Sequence, residues 1–241
     1  MQASTYDAIA QWYDETVRSG ALAGDLVLPA LFSLLEPLLG QVICDLACGQ
    51  GRLARILAQG GAQVIGIDLS RELIAIAQRD EDAEPLGITY HVDNAEQLRS
   101  IADSSCDMVV CNLALMDIAN LSATCQVVYR ILRPQGYFVC SLTHPCFESP
   151  HAQWQTASDG SMRREIVGYF PEVFWRSRYS GGVRGQVGAY HRTLASYLNT
   201  FIQAGLQIDQ LIEPRPHDDE AVSNEGYRHI PSFLLIRCRK A

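Results

Sequence analysis

The first 145 residues alternate short apolar runs with stretches of helical period. Runs at 41–47 (QVICDLA), 62–69 (AQVIGIDL), 87–93 (GITYHVD), 106–114 (CDMVVCNLA) and 136–143 (GYFVCSLT) each have the length and β-branched content of one strand. Helical patterns fill the gaps at 52–59, 71–79 and 121–132, the last ending at a Pro and Gly stop in ILRPQG. Strands this apolar, separated by helices, predict right-handed crossovers and a parallel sheet covered on both faces.

The rhythm breaks after SLTHPCFESP. Residues 146–190 are rich in Gly, Ser, Arg and aromatic residues and show no period (YFPEVFWRSRYSGGVRGQVGAY). A segment of that length inside a compact domain is functional or disordered, and its aromatic content argues against disorder. It predicts a cap over the strand ends, inserted into a core made of 1–145 and 191–241. The chain then returns to a helix (TLASYLNTFIQAG) with Leu194, Leu198, Phe201 and Ile202 at helical spacing, and to two strands, LQIDQLIE and PSFLLIRCR, joined by the polar loop PRPHDDEAVSNEG.

Composition narrows the function classes. The 241 residues are 48% hydrophobic and 19% charged, an ordinary globular balance, and the net charge of −8 disfavours a nucleic-acid partner. Eight cysteines without a CxxC pair predict reduced thiols and a cytoplasmic address; Cys44 and Cys48 have no second ligand pair, so no metal is expected. The N-terminus lacks a basic region followed by an apolar core, and no run is long enough to span a bilayer, so no membrane partner is expected. The oligomeric state, monomer or homodimer, is open.

The candidate chemistry lies in VICDLACGQGRLA. Gly49, Gly51 and Ala54 fit the dinucleotide spacing GxGxxG/A, and Asp68 stands at the end of the next strand, where an acid can accept two ribose hydroxyls. Asp45 separates the alternatives. A carboxylate on the preceding strand repels a pyrophosphate at the helix N-terminus and favours a ligand bearing an ammonium or sulfonium.

DLACGQG followed by GIDLS thus resembles the first motifs of class I S-adenosylmethionine-dependent methyltransferases, specifically the small-molecule, methyltransferase type 11-like family. YDAIAQWYDETV is similar to the N-terminal helix whose tyrosines, here Tyr13 and Tyr6, fold over the cofactor. HVDNAEQL resembles the adenine-binding turn, NLALMDI the loop after the fourth strand, and ILRPQGYFVCSL the approach to the fifth. The resemblance implies an α/β, Rossmann-like doubly wound sheet of seven strands, mostly parallel with a reversed last strand. It implies S-adenosyl-L-methionine as cofactor, S-adenosyl-L-homocysteine as product, and Tyr13, Asp45, Ala47, Gly49, Gly51, Asp68, Leu69, Asp93, Asn94, Ala95, Asn112, Leu113 and Met116 as the cofactor set. Asn112, Leu113 and Met116 would line the methionine portion or belong to the core.

Two positions depart from the family pattern. Ala47 replaces the first glycine, tolerable if its φ is negative. At the adenine turn the usual acid aligns with Asn94 while Asp93 lies one place earlier, and the contact is open between them. For catalysis, His144 ends the fifth strand as a base or as a residue orienting the Pro145 turn, and His191 with Tyr190 forms a second candidate group. Tyr169, Phe174, Trp175 and Arg192 are the substrate candidates, Arg192 as a carboxylate partner or a cap anchor. The expected activity is methyl transfer to an oxygen or nitrogen of a small metabolite. The rivals are a nicotinamide oxidoreductase, a nucleic-acid base methyltransferase, which the absence of an Asn/Asp-Pro-Pro-aromatic motif opposes, and a non-catalytic cofactor-binding module.

Overall fold

A computed structural model of the chain describes residues 4–20, 24–216 and 225–241. A 3-10 turn (Asp7–Ile9) leads into α1 (Ala10–Arg18), and α2 (Gly24–Leu35) precedes the sheet. Then come β1 (Val42–Leu46), α3 (Arg52–Gln59), β2 (Gln63–Asp68), α4 (Arg71–Ala83), β3 (Thr89–Val92), β4 (Cys106–Asn112), α5 (Leu121–Ile131) and β5 (Leu132–Thr143), the alternation that the apolar pattern predicts. The cap holds β6 (Gln153–Thr156), β7 (Met162–Glu165), β8 (Phe174–Trp175), α6 (Val183–Gln186) and β9 (Ala189–Tyr190), and the chain closes with α7 (Leu194–Gln203), β10 (Leu206–Ile212) and β11 (Phe233–Lys240). Of the polar loop at 214–226, residues 217–224 lie outside the described residues.

The seven strands run in the order β10-β11-β5-β4-β1-β2-β3, and only β11 is antiparallel to its neighbours. Successive residues of a strand point to opposite faces, and here both faces are covered. Ile43, Met108 and Val110 pack with Leu31, Leu34 and Leu57 on the side of α2 and α3, while Cys44, Val109 and Cys111 pack with Val128, Ile131 and Phe201 on the side of α5 and α7. Parallel strands also share one carboxyl edge, so the ends of β1 to β5 (Asp45, Asp68, Val92, Asn112, Thr143) lie along one rim, where open α/β sheets hold ligands. Helix starts fix that rim: Ser70 Oγ accepts the Leu73 N–H at 3.2 Å, Asn120 Oδ1 the Ala123 N–H at 3.0 Å, and Thr193 Oγ1 the Ser196 N–H at 3.1 Å.

Three features differ from the sequence expectation. α2 was not visible in the pattern because GDLVLPALFSLL is apolar on nearly every side and so has no helical period. β5 begins at Leu132 instead of Gly136: Pro134 keeps Arg133 out of the helical region, and a register shift against β4 between Cys106 and Met108 takes up the extra residues. The segment 146–190 is not irregular throughout, since β6 pairs antiparallel with β7, and β8 with β9. The β6–β7 hairpin has mostly exposed, polar strands; Trp154 holds it from outside, edge-on to Tyr227 at 5.2 Å. No helix among the described residues is long and apolar enough to cross a membrane.

Candidate functional site

The glycine turn after β1 is built from backbone conformations that side chains resist. Ala47, Gly49 and Gly51 have φ of 58°, 58° and 84°. The condition on Ala47 therefore fails: it occupies the left-handed region, at a cost of about 1–2 kcal/mol for a non-glycine residue. Gly49 needs its freedom for the turn and leaves the wall beside Tyr13 open, a Cβ there reaching no closer than 3.7 Å to that ring. Gly51 answers to a different constraint. It lines neither of the two large cavities at the rim; a Cβ would collide with the hydroxyl of Tyr90, which is why glycine stands there.

Asp68 ties the turn together. Its Oδ2 accepts the Gly49 N–H and its Oδ1 the Ser70 N–H, both at 2.8 Å, so the end of β2 holds the loop after β1. Burial pushes its carboxyl up to about 6, against the pull of those two N–H groups. Asp45 is deeper, and its Oδ2 has no hydrogen-bond partner. Burial first, then the neighbouring Asp68 charge, push the Asp45 carboxyl up to about 7, partly offset by a hydrogen bond from the Ala54 backbone. A buried carboxylate oxygen left unpaired is costly unless a ligand donor completes it.

Two adjoining cavities lie on this rim. The first, ≈ 310 Å³, is lined by Asp68, Leu69, Asp93, Asn94 and Ala95 from the β2 and β3 turns, with Ile67, Leu73 and Ile118 as apolar walls. The second, ≈ 240 Å³, takes Asp45, Cys48, Gln50, Arg52 and Thr143, and both share Tyr6, Tyr13, Ala47, Gly49, Asn112 and Leu113. At the β3 turn, Asp93 spends its carboxylate on Ser100 (2.8 Å from the N–H, 2.7 Å from Oγ) and on the Asn94 N–H (2.7 Å), whereas Asn94 Oδ1 accepts only the Glu96 N–H at 2.8 Å. Asn112 is oriented by Ser141, whose Oγ donates to Asn112 Oδ1 at 2.6 Å and accepts the Leu113 N–H at 2.9 Å. Met116 is not with them: it is 3% exposed, belongs to the core, and touches only a third, smaller cavity.

The roof comes from three parts of the chain. Asp7 accepts the Ser70 Oγ–H at 2.6 Å, which fastens the N-terminal turn to the cap of α4, and Tyr6 packs edge-on to Tyr13 at 5.3 Å. Asp117, in the short helical turn after β4, receives Tyr6 Oη at 3.2 Å on one oxygen and Arg184 of the cap on the other. Tyr6, Asp117 and Arg184 thus lock the N-terminal segment, sheet rim and cap together. Sequence reasoning named Tyr6 as part of the lid but missed Asp117 and Arg184 as its partners; the trace of Asp117 was a charged residue in the otherwise apolar LALMDI.

The catalytic and substrate candidates divide. His144 is 3% exposed and lines none of these cavities; its Nδ1 accepts the Cys146 N–H at 3.2 Å, and its Nε2 lies 2.9 Å from Glu213. With Nδ1 already accepting, Nε2 carries the hydrogen, so the ring has no lone pair to give and orients the Pro145 turn instead of acting as a base. His191 differs: its Nε2–H donates to the Tyr169 carbonyl at 2.7 Å, Nδ1 has no hydrogen bond among the described residues, and the ring lines the third cavity, ≈ 90 Å³, beside Tyr190 and Thr143. Arg192 is the cap anchor and not a carboxylate partner, because its guanidinium donates to the carbonyls of Leu115, Ile118 and Ala119 at 3.2, 2.6 and 2.8 Å. Tyr169 lines none of these three cavities, its hydroxyl accepting the Leu194 N–H at 3.0 Å, whereas Phe174 reaches the first cavity and Trp175 the third.

The arrangement offers hydroxyl acceptors at Asp68, an orphaned carboxylate oxygen at Asp45 and a slot beside Asn94, which fit the ribose, ammonium and base of an adenosyl amino acid. Comparison with known proteins agrees. Residues 44–140 match the family model described as a methyltransferase domain. A candidate S-adenosylmethionine-dependent methyltransferase from Listeria monocytogenes is 30% identical, with 92% of this chain and 99% of that one covered and a TM-score of 0.77. The S-adenosylmethionine-dependent methyltransferase from Mesorhizobium loti is 29% identical over 89% of this chain and 97% of that one, with a TM-score of 0.76. The mitochondrial ubiquinone biosynthesis O-methyltransferase of Rattus norvegicus is 31% identical over 56% of this chain and 44% of its own length. The glycine spacing shared with nicotinamide enzymes is therefore put to another use, and the chain belongs to the S-adenosylmethionine-dependent methyltransferases.

Proposed function

We propose that the chain transfers the methyl group of S-adenosylmethionine to an oxygen or nitrogen atom of a small-molecule metabolite. The observation that carries this reading is the third cavity: it is only ≈ 90 Å³, meets the second cavity at Thr143 and Arg184, and holds His191 with an uncommitted Nδ1. The cofactor, when bound, supplies a methyl group already activated on a sulfonium, so the protein's work is to bind, align and exclude water. In this reading Asp68 accepts the ribose hydroxyls on its remaining lone pairs, Asn94 reads the adenine amino group, and Asp45 answers the amino group of the methionine portion. Tyr13, Leu69, Ala95, Asn112 and Leu113 shape the walls between these contacts. His191 takes the proton that leaves the acceptor, with Nε2–H held on the Tyr169 carbonyl so that Nδ1 faces the reaction.

The cap at 146–190 is the acceptor-recognition unit and the remainder is the cofactor-binding core. The eight unpaired cysteines favour a reducing, cytoplasmic setting. The test is to incubate the protein with methyl-labelled cofactor and separated small-molecule and macromolecular fractions of a cell extract. Label is expected in the small molecules, and label confined to protein or nucleic acid would overturn the reading. With an acceptor in hand, His191→Gln should lower turnover by about 10²-fold or more without changing S-adenosylhomocysteine affinity.

A further inference from the structure

The reading above leaves the chemical class of the acceptor open, and Arg184 narrows it. Arg184 lines the second cavity, beside Asp45 and Gly49, and the third, beside His191. It also lines a groove of ≈ 810 Å³ across the cap, which shares Glu148 and Trp175 with the third cavity and Val183 with the second. The guanidinium stands where the groove, the third cavity and the second cavity adjoin.

The side chain is held in place but only partly used. Its Nη1 donates to Asp117 and, at 3.1 Å, to the Gly188 carbonyl, while Nε and Nη2 make no hydrogen bond or ion pair among the described residues. Asp117 is itself held by Tyr6, so the guanidinium is fixed on one edge and presents the other, the geometry in which arginine grips a carboxylate or phosphate with two parallel hydrogen bonds. Of the two acids that line the groove, Glu148 is neutralised, pairing with Arg164 at 2.7 Å and accepting Tyr227 Oη at 3.0 Å, and Glu165 accepts the side-chain amides of Gln153 and Gln155. In the groove lining Arg176 and Arg178 are exposed and carry no ion pair among the described residues, and Trp175 and Tyr179 flank them in sequence. The cap holds five arginines against four acids in a chain whose net charge is −8, and the groove itself is lined by Arg164, Arg176, Arg178 and Arg184 against Glu148 and Glu165, a local positive balance.

We propose that the acceptor is an anionic small molecule, bearing a carboxylate or phosphate on an apolar or aromatic body, and that the free edge of Arg184 holds its acid group. The class of acceptor rests on the small-molecule reading above. Arg176 and Arg178 draw the anion into the groove, and Arg184 fixes its distance from the sheet rim, which makes Arg184 a specificity-determining residue for the methyl transfer.

The test uses the protein saturated with S-adenosylhomocysteine, titrated calorimetrically with matched aromatic pairs: 4-hydroxybenzoate against 4-hydroxybenzamide, and phenyl phosphate against phenol. At least one acid is expected to bind about tenfold or more tightly than its neutral partner, with a preference that weakens as salt rises. Arg184→Gln should abolish the preference and Arg184→Lys keep part of it, and because acid and neutral partner are compared at saturating S-adenosylhomocysteine, any loosening of the Tyr6–Asp117–Arg184 roof cancels from the ratio. Should Arg184→Gln unfold the cap, the exposed pair Arg176→Gln and Arg178→Gln tests the same claim, and should weaken acid binding severalfold while leaving the neutral partners alone. Equal binding of acids and neutral partners would overturn the proposal, as would an acid preference that survives Arg184→Gln, or a loss of S-adenosylhomocysteine affinity in Arg184→Gln far beyond that in Asp117→Asn, which would assign the free edge to the cofactor's own carboxylate. Methylation of neutral small molecules without a preference for acids would sink this inference alone and leave the small-molecule reading standing.

Discussion

At the scale of single residues, the site holds its strain and its unpaired charge in one loop. Ala47 is in the left-handed region, so Ala47→Gly should raise stability by about 1 kcal/mol in urea unfolding; a loss of stability would mean that its methyl group packs more usefully than its φ costs. Asp45 gives a pH signature. Its carboxyl is pushed up to about 7 in the fold, above its ordinary value of 3.8, so between those limits the native state keeps a proton that the unfolded chain has released. Stability of the cofactor-free protein should therefore fall as pH rises from 4 through 7, and Asp45→Asn should flatten that part of the profile. A cofactor ammonium beside Asp45 favours its ionised form, so binding between pH 6 and 7 should release a proton, below the range of about 7.7–8.0 where the ligand's amino group itself titrates. Calorimetry in buffers of different ionisation enthalpy measures that release, and no proton release at pH 6 would remove Asp45 from the contact.

At the scale of elements, what was legible was what neighbouring residues decide. The alternating runs gave β1 to β5 and their helices because burial on both faces leaves strands continuously apolar, and Gly49 and Asp68 could be read because turn geometry and strand ends are local properties. The roles of His144, Arg192 and Arg184 could not. His144 is silenced by Glu213, Arg192 by carbonyls at 115–119, and Arg184 is fixed along one edge by Asp117, and each partner lies more than sixty residues away in sequence. The β6–β7 hairpin was hidden for a related reason, since its support is Tyr227 and not its own pattern. Arg192 joins the start of α7 to the turn after β4, and its removal strands three carbonyl acceptors in a largely buried place. Arg192→Ala should cost about 3 kcal/mol in denaturant unfolding. A cost below 1 kcal/mol would mean that water replaces the guanidinium there and that the turn stands without it.

At the scale of the whole molecule, the sheet supplies a rim, and the N-terminal turn and the cap close over it through Asp7–Ser70 and Tyr6–Asp117–Arg184. A ligand that fills this closed volume binds the native state alone, so saturating S-adenosylhomocysteine should raise the midpoint of thermal unfolding, by an amount that grows with ligand concentration. Asp117→Asn weakens the roof on both sides and should reduce that gain more than it reduces the stability of the free protein; an equal reduction of both would make the trio a purely structural clamp. The most direct measurement is calorimetric titration of the protein and of Asp68→Ala with S-adenosylmethionine and S-adenosylhomocysteine, with NAD and NADP as controls. The account predicts micromolar binding of both adenosyl ligands, about −8 kcal/mol, lost in Asp68→Ala, and no nicotinamide signal. Adenosyl binding untouched by Asp68→Ala, or tight nicotinamide binding in its place, would contradict it.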